Sequence, residues 1–364
     1  MNPPELPDRM RAARLTSWGS PPELVEVDRP VPTGSQVLLR VDAAGLCQSD
    51  LHVMDALPGQ LPYEPPFTLG HEVAGTVAAV GDGVDPRRLG DRVVVHGVWG
   101  CGDCRNCVRG RESYCLRLPG GPVGCGLGLD GGLAEYVLVP EERFLVDSPS
   151  LPAIEAAPLT DAGLTAFHAV DRHLRLAEGG TVLLIGVGGL GHLALQMLRA
   201  QSVALVVAVD TRPAARDLAL RLGAHAVADS VAAGAERLAG LGRGPGVDLV
   251  IDFVGAPSTT SAVPAVLAPG GRVVVVGSGG GSLEAAKGRT LPNGWSFTAP
   301  FWGHRADLEA VVGLAEAGTI SSSTRTYPLE RVGQAFDDLR SGRIDGRAVV
   351  VPHDPQAGRS AGPA

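Results

Sequence analysis

The second half of the chain repeats a unit of apolar strand, glycine turn and helix. Apolar segments at residues 181–185 and 204–209 are each followed by a helical pattern, at 190–200 and 213–222. Two further apolar segments lie at 248–253 and 272–276. Strands that are apolar on both faces and alternate with helices are typical of a parallel sheet covered by helices. The pattern therefore predicts an α/β fold with a doubly wound parallel sheet.

A glycine-rich turn joins the first of these strands to its helix. Gly186, Gly188 and Gly191 form a G-x-G-x-x-G pattern. Gly186 permits a tight turn, Gly188 lets the backbone approach a pyrophosphate, and Gly191 allows close packing of helix and strand. Gly189 and Leu190 lie where the helix N-terminus offers free N–H groups to phosphates. The turn predicts a Rossmann cofactor domain, the alternative being a plain glycine turn.

The second strand of this region ends at an acidic residue. Asp210 follows the glycine turn by about twenty residues, where a carboxylate accepts hydrogen bonds from ribose hydroxyls and repels a 2′-phosphate. This position favours NAD over NADP, although Arg212 could offset part of the repulsion. A helix cap is the alternative role for Asp210.

The first part of the chain has a different texture, with short apolar segments separated by glycine and proline. They lie at 37–43, 73–80, 92–95 and 133–139, and they are typical of a β-rich domain with long loops.

The C-terminal part is too short to fold alone. It contains helical patterns at 308–317 and 331–340 and an apolar segment at 348–351. We therefore expect a catalytic domain made of residues 1–160 and 301–364, with a dinucleotide-binding domain at 161–300 inserted into it.

Four cysteines follow the spacing C-x2-C-x2-C-x7-C. They are Cys101, Cys104, Cys107 and Cys115. Four thiolates fill a zinc tetrahedron and leave no open position, so they predict a structural zinc in a lobe at about 98–118. Disulfides are the alternative, disfavoured because three sulfurs crowd into seven residues. Cys125 is predicted to be a buried free thiol.

A second group of metal-ligand types is scattered along the chain. Cys47 lies in the segment Gly-Leu-Cys-Gln-Ser-Asp-Leu-His, and His71 and Glu72 follow Gly70. Taken singly each is ordinary, since a lone histidine is more often a core residue than a ligand.

Together with the cysteine lobe and the glycine turn, these segments resemble the zinc-containing medium-chain dehydrogenase/reductase family over nearly the whole chain. The segment 159–165 is most similar to bacterial NAD-dependent secondary alcohol dehydrogenases. The resemblance implies a GroES-like catalytic domain and a catalytic zinc held by Cys47, His71 and Asp161, where many members have Cys in place of Asp161. Glu72 is an additional candidate ligand, because some relatives let the equivalent carboxylate approach the metal.

The resemblance also implies a proton route. Ser49 takes the alcohol proton and passes it through the ribose and His52 to solvent, while Asp50 orients His71. A surface position without a role in the relay is the alternative for His52. Four further residues are implied as cofactor contacts: Thr165 and the flanking Val254 and Gly277 at the nicotinamide, and Arg347 at the pyrophosphate. A purely structural role is the alternative for each of them.

The predicted substrate pocket is largely apolar. Its residues are Ser49, Leu57, Leu127, Phe301 and Trp302. Apolar and aromatic walls favour a hydrophobic, secondary alcohol or ketone over a sugar. The alternatives are a zinc-dependent polyol or aldehyde dehydrogenase and an NADH-binding redox sensor. A zinc-free quinone or enoyl reductase is disfavoured, because it would not need both cysteine sites.

Composition narrows the partners and the compartment. The net charge is −8, and no run of like charges is long enough to act as an interaction tail, so nucleic acid is not an expected partner. The sequence has no basic, apolar leader and no apolar run of membrane-spanning length, so we expect a cytoplasmic enzyme with NAD and two Zn²⁺ per chain. Family members are usually dimers or tetramers, and the strand near Phe297 with Thr298, Ala299 and Pro300 is a candidate interface.

Overall fold

The computed structural model describes residues 6–118, 124–173, 179–201, 204–286 and 290–353. The chain divides into two compact units. The first contains residues 1–161, 304–316 and 323–364, and the second contains 162–303 and 317–322. The domain limits given above remain a prediction.

The described residues form strands and helices with the following bounds. The strands are β1 (Arg9–Leu15), β2 (Glu23–Asp28), β3 (Val37–Leu46), β4 (Phe67–Thr68), β5 (Glu72–Val80), β6 (Arg92–Val95), β7 (Gly124–Cys125), β8 (Gly128–Leu129), β9 (Tyr136–Val139), β10 (Leu145–Asp147), β11 (Thr181–Ile185), β12 (Leu205–Val209), β13 (Ala226–Ala228), β14 (Val247–Asp252), β15 (Leu267–Val275), β16 (Ser296–Thr298), β17 (Thr324–Pro328) and β18 (Arg347–Val351). The α-helices are α1 (Gln48–Met54), α2 (Ala153–Ala156), α3 (Ala162–Asp171), α4 (Gly191–Gln201), α5 (Pro213–Arg221), α6 (Val231–Leu238), α7 (Pro257–Thr260), α8 (Val263–Val266), α9 (Arg305–Glu316) and α10 (Val332–Arg340). Within the described ranges, no helix has both the length and the apolar character needed to cross a bilayer.

A seven-stranded sheet dominates the first unit. Its order is β10-β6-β5-β3-β18-β17, and β9 also pairs with β3. Strand β3 is the centre of this sheet because it pairs with β5 along its length and is shared between β9 and β18. The predicted segments at 37–43, 73–80 and 92–95 lie in β3, β5 and β6, which confirms them as strands. Of the fourth segment, 133–139, residues 136–139 form β9.

A smaller sheet completes the first unit, in the order β2-β1-β4. Met10 and Ala12 of β1 pack with Leu38, Ala134 and Tyr136 in a separate core cluster. Sequence patterns did not predict β1 and β2, because charged residues interrupt their apolar positions.

The second unit contains a six-stranded parallel sheet. Its order is β13-β12-β11-β14-β15-β16, so the first strand in sequence, β11, lies between β12 and β14. This is the strand order of doubly wound dinucleotide-binding folds, and it confirms the predicted fold class. The sheet's core contains the fully buried Leu183, Val207 and Val250, as expected for strands covered on both faces.

Candidate metal centres and dinucleotide site

The end of β3 positions the first candidate ligand. Cys47 is the N-cap of α1, directly after β3. Its backbone N–H donates a 2.8 Å hydrogen bond to Asp50 Oδ2. The Asp50 side chain is buried, so the helix start and the Cys47 backbone are held in one geometry.

Asp50 also contacts the candidate histidine ligand. Its Oδ1 lies 3.2 Å from His71 Nδ1. The other ring nitrogen, His71 Nε2, lies 3.5 Å from Asp161 Oδ2. His71 immediately precedes β5, and Asp161 follows a 3₁₀ turn at Ala157–Thr160 that packs on β3 and β5. The turn therefore brings an acid that is distant in sequence to the ends of these strands.

Four buried side chains converge in this way. One ligand atom from each of Cys47, His71, Glu72 and Asp161 lies within 4.8 Å of the others. Around a tetrahedral zinc, ligand atoms about 2.0–2.3 Å from the ion are separated by roughly 3.3–3.8 Å, so the spacing fits this ion. A thiolate and an imidazole in the set favour zinc over magnesium or calcium.

Glu72 has a partner that the sequence did not reveal. Its Oε1 accepts a hydrogen bond from Arg347 Nη2, and both side chains are buried. Gly45 lies opposite Glu72 in the β3–β5 pairing, and a Cβ on Gly45 would meet Glu72 Oε2 at 1.9 Å. Glycine is therefore required at residue 45. In the structure the Arg347 guanidinium is bonded to Glu72, whereas the sequence analysis assigned Arg347 to the pyrophosphate of the cofactor.

The electrostatics of the cluster favour positive charge. Burial lowers the pKa of His71, but Asp50 and Asp161 outweigh it and raise the pKa well above its usual range. Burial opposes ionisation of Asp161, but the hydrogen bond with His71 holds its pKa below the usual range. Burial raises the pKa of Glu72 to about 7 against the charge of Arg347. Such a pocket stabilises a cation.

The two predicted relay residues lie on α1. Ser49 Oγ is 3.7 Å from Cys47 Sγ. Both Ser49 and His52 are exposed, and their i, i+3 spacing puts them on one face of the helix.

The four lobe cysteines form a second compact group. The Sγ–Sγ distances are 3.5 Å between Cys104 and Cys107, 3.9 Å between Cys101 and Cys107, and 4.0 Å between Cys104 and Cys115. A tetrahedral zinc with bonds of about 2.3 Å requires sulfurs separated by roughly 3.8 Å. The cysteines are free thiols, and their geometry fits zinc. Cys125 is also free and is fully buried, as predicted.

Backbone N–H groups are directed at these sulfurs. Cys101 and Arg117 each donate an N–H to Cys115 Sγ at 3.4 Å, and Cys104 donates to Cys101 Sγ at 3.4 Å. Backbone N–H donors, that of Cys107 first, lower the pKa of the Cys104 thiol to about 6. At Cys104 the lobe therefore favours the thiolate, the form that binds zinc.

The glycine turn between β11 and α4 has the features expected of a phosphate cradle. Gly186 has a φ of +86°, and a Cβ on Gly191 would meet Gly186 O at 1.8 Å. A Cβ on Gly188 would meet no described atom within 4 Å. The first and last glycines are thus required by the turn itself, whereas Gly188 leaves space for a ligand. Gly189 and Leu190 complete the turn, and α4 begins at Gly191.

Asp210 lies beside this turn. Its Oδ2 accepts a 2.9 Å hydrogen bond from Val187 N, and its Oδ1 accepts one from Arg212 N at the same distance. Arg212 Nε is 3.5 Å from Oδ1. The carboxylate thus lies at the glycine turn with a guanidinium next to it.

The other predicted cofactor residues lie in the second unit. Thr165 is buried on α3, and Val254 and Gly277 are adjacent, since a Cβ on Gly277 would meet Val254 C at 2.2 Å. Asp252, which sequence reasoning missed, holds this loop: its Oδ1 accepts from the N–H groups of Val254 and Gly255 at 2.8 and 2.9 Å. An acid at the C-terminal end of an apolar strand was the available signal.

The predicted pocket residues are divided between the units. Leu57 and Leu127 belong to the first unit, with fractional exposures of 69% and 5%. Phe301 and Trp302 belong to the second, with ring centroids 6.0 Å apart. The pocket that would unite them remains a prediction.

Two family models match the chain. The alcohol dehydrogenase GroES-like domain matches residues 33–150, and the zinc-binding dehydrogenase model matches residues 189–317. The first covers the cysteines of both clusters with His71 and Glu72, and the second covers most of the parallel sheet.

Curated relatives and solved structures match over nearly the full chain. An NAD-dependent alcohol dehydrogenase of Sulfurisphaera tokodaii is 38% identical, covering 94% of this chain and 100% of the relative. A D-arabinose 1-dehydrogenase (NADP⁺) of Saccharolobus solfataricus is 35% identical, covering 94% and 98%. The structure of an acetophenone reductase from Geotrichum candidum in complex with NAD matches with a TM-score of 0.84 at 31% identity, covering 96% and 99%.

Proposed function

The chain belongs to the zinc-binding alcohol dehydrogenase family, and from that premise we propose that it transfers a hydride between NAD(H) and a hydrophobic, secondary alcohol or ketone. The observation that carries the proposal is the buried convergence of Cys47, His71, Glu72 and Asp161. An open catalytic metal site, a structural cysteine lobe and a dinucleotide turn in one chain are the parts that this reaction needs.

Cys47, His71 and Asp161 would hold the catalytic zinc. Zinc bound there supplies a Lewis acid that lowers the pKa of an alcohol. Asp50 fixes two of the three ligands, through the Cys47 backbone and the His71 ring. Glu72 is retained by Arg347 in this arrangement and remains an additional candidate ligand. Cys101, Cys104, Cys107 and Cys115 would hold the structural zinc.

Ser49 is the proposed acceptor of the alcohol proton. Its hydroxyl lies next to the Cys47 sulfur, and His52 shares its face of α1. His52, which is exposed, passes the proton to solvent.

The cofactor is NAD, with the Asp210 carboxylate as the group that binds the ribose hydroxyls and disfavours a 2′-phosphate. The turn residues Gly186, Gly188, Gly189, Leu190 and Gly191 would bind the pyrophosphate. Thr165, Val254 and Gly277 are proposed as nicotinamide contacts.

The proposed substrate class rests on apolar residues. Leu57, Leu127, Phe301 and Trp302 would form an apolar pocket, and the match to an acetophenone reductase supports a ketone of this kind. A sugar or polyol dehydrogenase is the second candidate, which the match to a D-arabinose 1-dehydrogenase favours.

A substrate panel with a metal measurement tests the proposal. The purified protein should contain two zinc ions per chain and reduce NAD with 1-phenylethanol or 2-butanol in preference to sorbitol or D-arabinose. His71→Ala should lose activity together with one zinc, whereas His353→Ala, a change at an exposed histidine, should keep both. Preference for D-arabinose would select the second candidate, and a metal-free active protein would refute both.

We also propose a cytoplasmic homo-oligomer, a dimer or a tetramer. Strand β16 is an edge strand of the parallel sheet, and its Phe297 is 45% exposed. An exposed edge strand is suited to pairing with a second copy. Light scattering on a size-exclusion column measures the oligomeric state, and Phe297→Glu should reduce it.

A further inference from the structure

One arginine outside the cysteine set holds the backbone of the lobe. Arg143 Nη2 donates a 2.7 Å hydrogen bond to Gly100 O, the carbonyl that immediately precedes Cys101. Arg143 lies in the segment between β9 and β10, so this bond ties the lobe to the β-sheet of the same unit.

The Arg143 side chain is fixed from two other directions. Glu141 accepts two hydrogen bonds of 2.8 Å, from Nε and from Nη2. The guanidinium also lies 4.2 Å from the centre of the Phe144 ring, within cation–π distance. A planar group held along one edge and one face has little freedom left, so its third contact, with Gly100, is pre-organised.

The lobe backbone is shaped to receive this guanidinium. Gly102 lies between Cys101 and Asp103 with a φ of +84°, and a Cβ there would meet Arg143 Cζ at 3.2 Å. The arginine therefore bonds to the carbonyl that precedes Cys101 and occupies the space beside the glycine that follows it, which places the first cysteine of the group.

A cavity of about 290 Å³ lies beside these contacts. Its lining includes Cys107, Glu112, Arg143 and Arg305. A thiol of the group thus borders a space large enough for water or a small chelator. Across it, Glu112 Oε1 accepts a 2.7 Å hydrogen bond from Arg305 N at the start of α9. Arg143 and Glu112 thus each make a polar attachment at this cavity.

We propose that Arg143 is a positioning residue of the structural zinc, which holds Gly100 and Gly102 so that Cys101 stays in the tetrahedron and zinc is retained. The inference rests on the proposed assignment of zinc to the four cysteines. Glu141 acts through Arg143, because it contributes the fixed edge of the guanidinium.

The test is the rate of zinc loss to a chromogenic chelator from fully loaded protein. Zinc should leave in two phases, one from each site. The phase that belongs to the lobe is the one that persists in His71→Ala. Arg143→Gln should accelerate this phase about tenfold or more, the size of effect typical when an outer contact of a metal site is removed. Arg143→Lys, which keeps the positive charge and one donor nitrogen, should fall between Arg143→Gln and the unaltered protein. Glu141→Gln, which leaves the arginine in place, should give a smaller acceleration.

Arg111→Gln is the matched control. Arg111 belongs to the same lobe and lies 5.6 Å from the Tyr114 ring centre, but it is exposed. Zinc should leave the lobe of Arg111→Gln at the same rate as from the unaltered protein. Equal rates for Arg143→Gln and Arg111→Gln would overturn the proposal while leaving the zinc assignment intact. The absence of any lobe phase in the unaltered protein would instead refute the assignment itself.

Protection of the thiols gives a second measurement that does not depend on the chelator. Iodoacetamide should label Cys101 of Arg143→Gln faster than Cys101 of Arg111→Gln, as read by mass spectrometry of the digested protein. If Arg143→Gln does not fold, Glu141→Gln carries the same comparison. Equal labelling of Cys101 in the folded variant and the control contradicts the positioning role.

Discussion

Asp50 joins two candidate metal ligands through one carboxylate: Oδ1 lies 3.2 Å from His71 Nδ1, and Oδ2 accepts the Cys47 N–H at 2.8 Å. One oxygen orients an imidazole and the other fixes the backbone that carries a thiol. Because the side chain is buried, both contacts are shielded from water, and a change at Asp50 affects two ligands at once.

Asp50→Asn should weaken the catalytic zinc site. The asparagine amide has the shape of the carboxylate but no charge. Its NH2 group replaces one of the two acceptor oxygens, so either His71 or the Cys47 N–H loses its acceptor. We expect zinc affinity at this site to fall about 10- to 100-fold, with activity falling alongside. Zinc content after equilibration in chelator buffers measures the effect. Asp55→Asn, at the exposed C-cap of α1, is the control, and equal retention by the two variants would contradict the role given to Asp50.

Gly45→Ala should destabilise the fold by disturbing the Glu72–Arg347 ion pair. The added Cβ would meet Glu72 Oε2 at 1.9 Å, so Glu72 must move away from Arg347. Separating a buried ion pair costs about 3–5 kcal/mol. Urea unfolding gives the free energy. Gly313→Ala on α9, where a Cβ meets no described atom within 4 Å, should instead stabilise by roughly 0.5–1 kcal/mol. If both substitutions changed the free energy of unfolding in the same direction, this account would be refuted.

His173 should make stability depend on pH. Burial, with the charges of Arg272 and Arg172, lowers its pKa to about 4. The unfolded chain has a histidine pKa of about 6.5, so it binds the proton first as pH falls. Stability from the neutral ring is therefore present above about pH 6.5 and is lost as pH falls towards 4.

His173→Gln should remove this dependence. We expect the unaltered protein to lose about 1–2 kcal/mol more than the variant between pH 7 and pH 5, a value reduced for partial solvent access. Urea unfolding at the two pH values measures the difference. Parallel losses in both proteins would show that His173 does not titrate in this window.

The sequence predicted the strands that form the two sheets' centres. Segments such as β11 and β12 are continuous apolar runs because helices cover both of their faces. Strands at the sheet margins were not predicted, because β2 alternates exposed and half-buried residues and β13 has only three residues. Their apolar signal is too weak to separate from that of a loop.

In the candidate site, local patterns were informative and pairings were not. The glycine-rich turn and the spacing of the four lobe cysteines can be read from adjacent residues. The Glu72–Arg347 pair joins residues 275 positions apart, and no local pattern specifies it. The requirement for Gly45 follows from that pair and from the β3–β5 register, so it was equally hidden.

Asp210→Asn should shift the cofactor preference towards NADP. The amide keeps an oxygen for the Val187 N–H but removes the charge that repels a 2′-phosphate, and Arg212 lies beside it. Because like charges brought together cost several kcal/mol, we expect kcat/KM for NADP relative to NAD to rise about 10- to 100-fold. Initial rates with both cofactors measure the ratio.

Asp217→Asn, an exposed change on α5, should leave the ratio unaltered. Adding Arg212→Gln to Asp210→Asn should reduce the gain, since the 2′-phosphate then loses its neighbouring cation. An unchanged ratio in Asp210→Asn would mean that the discrimination against NADP resides elsewhere in the chain.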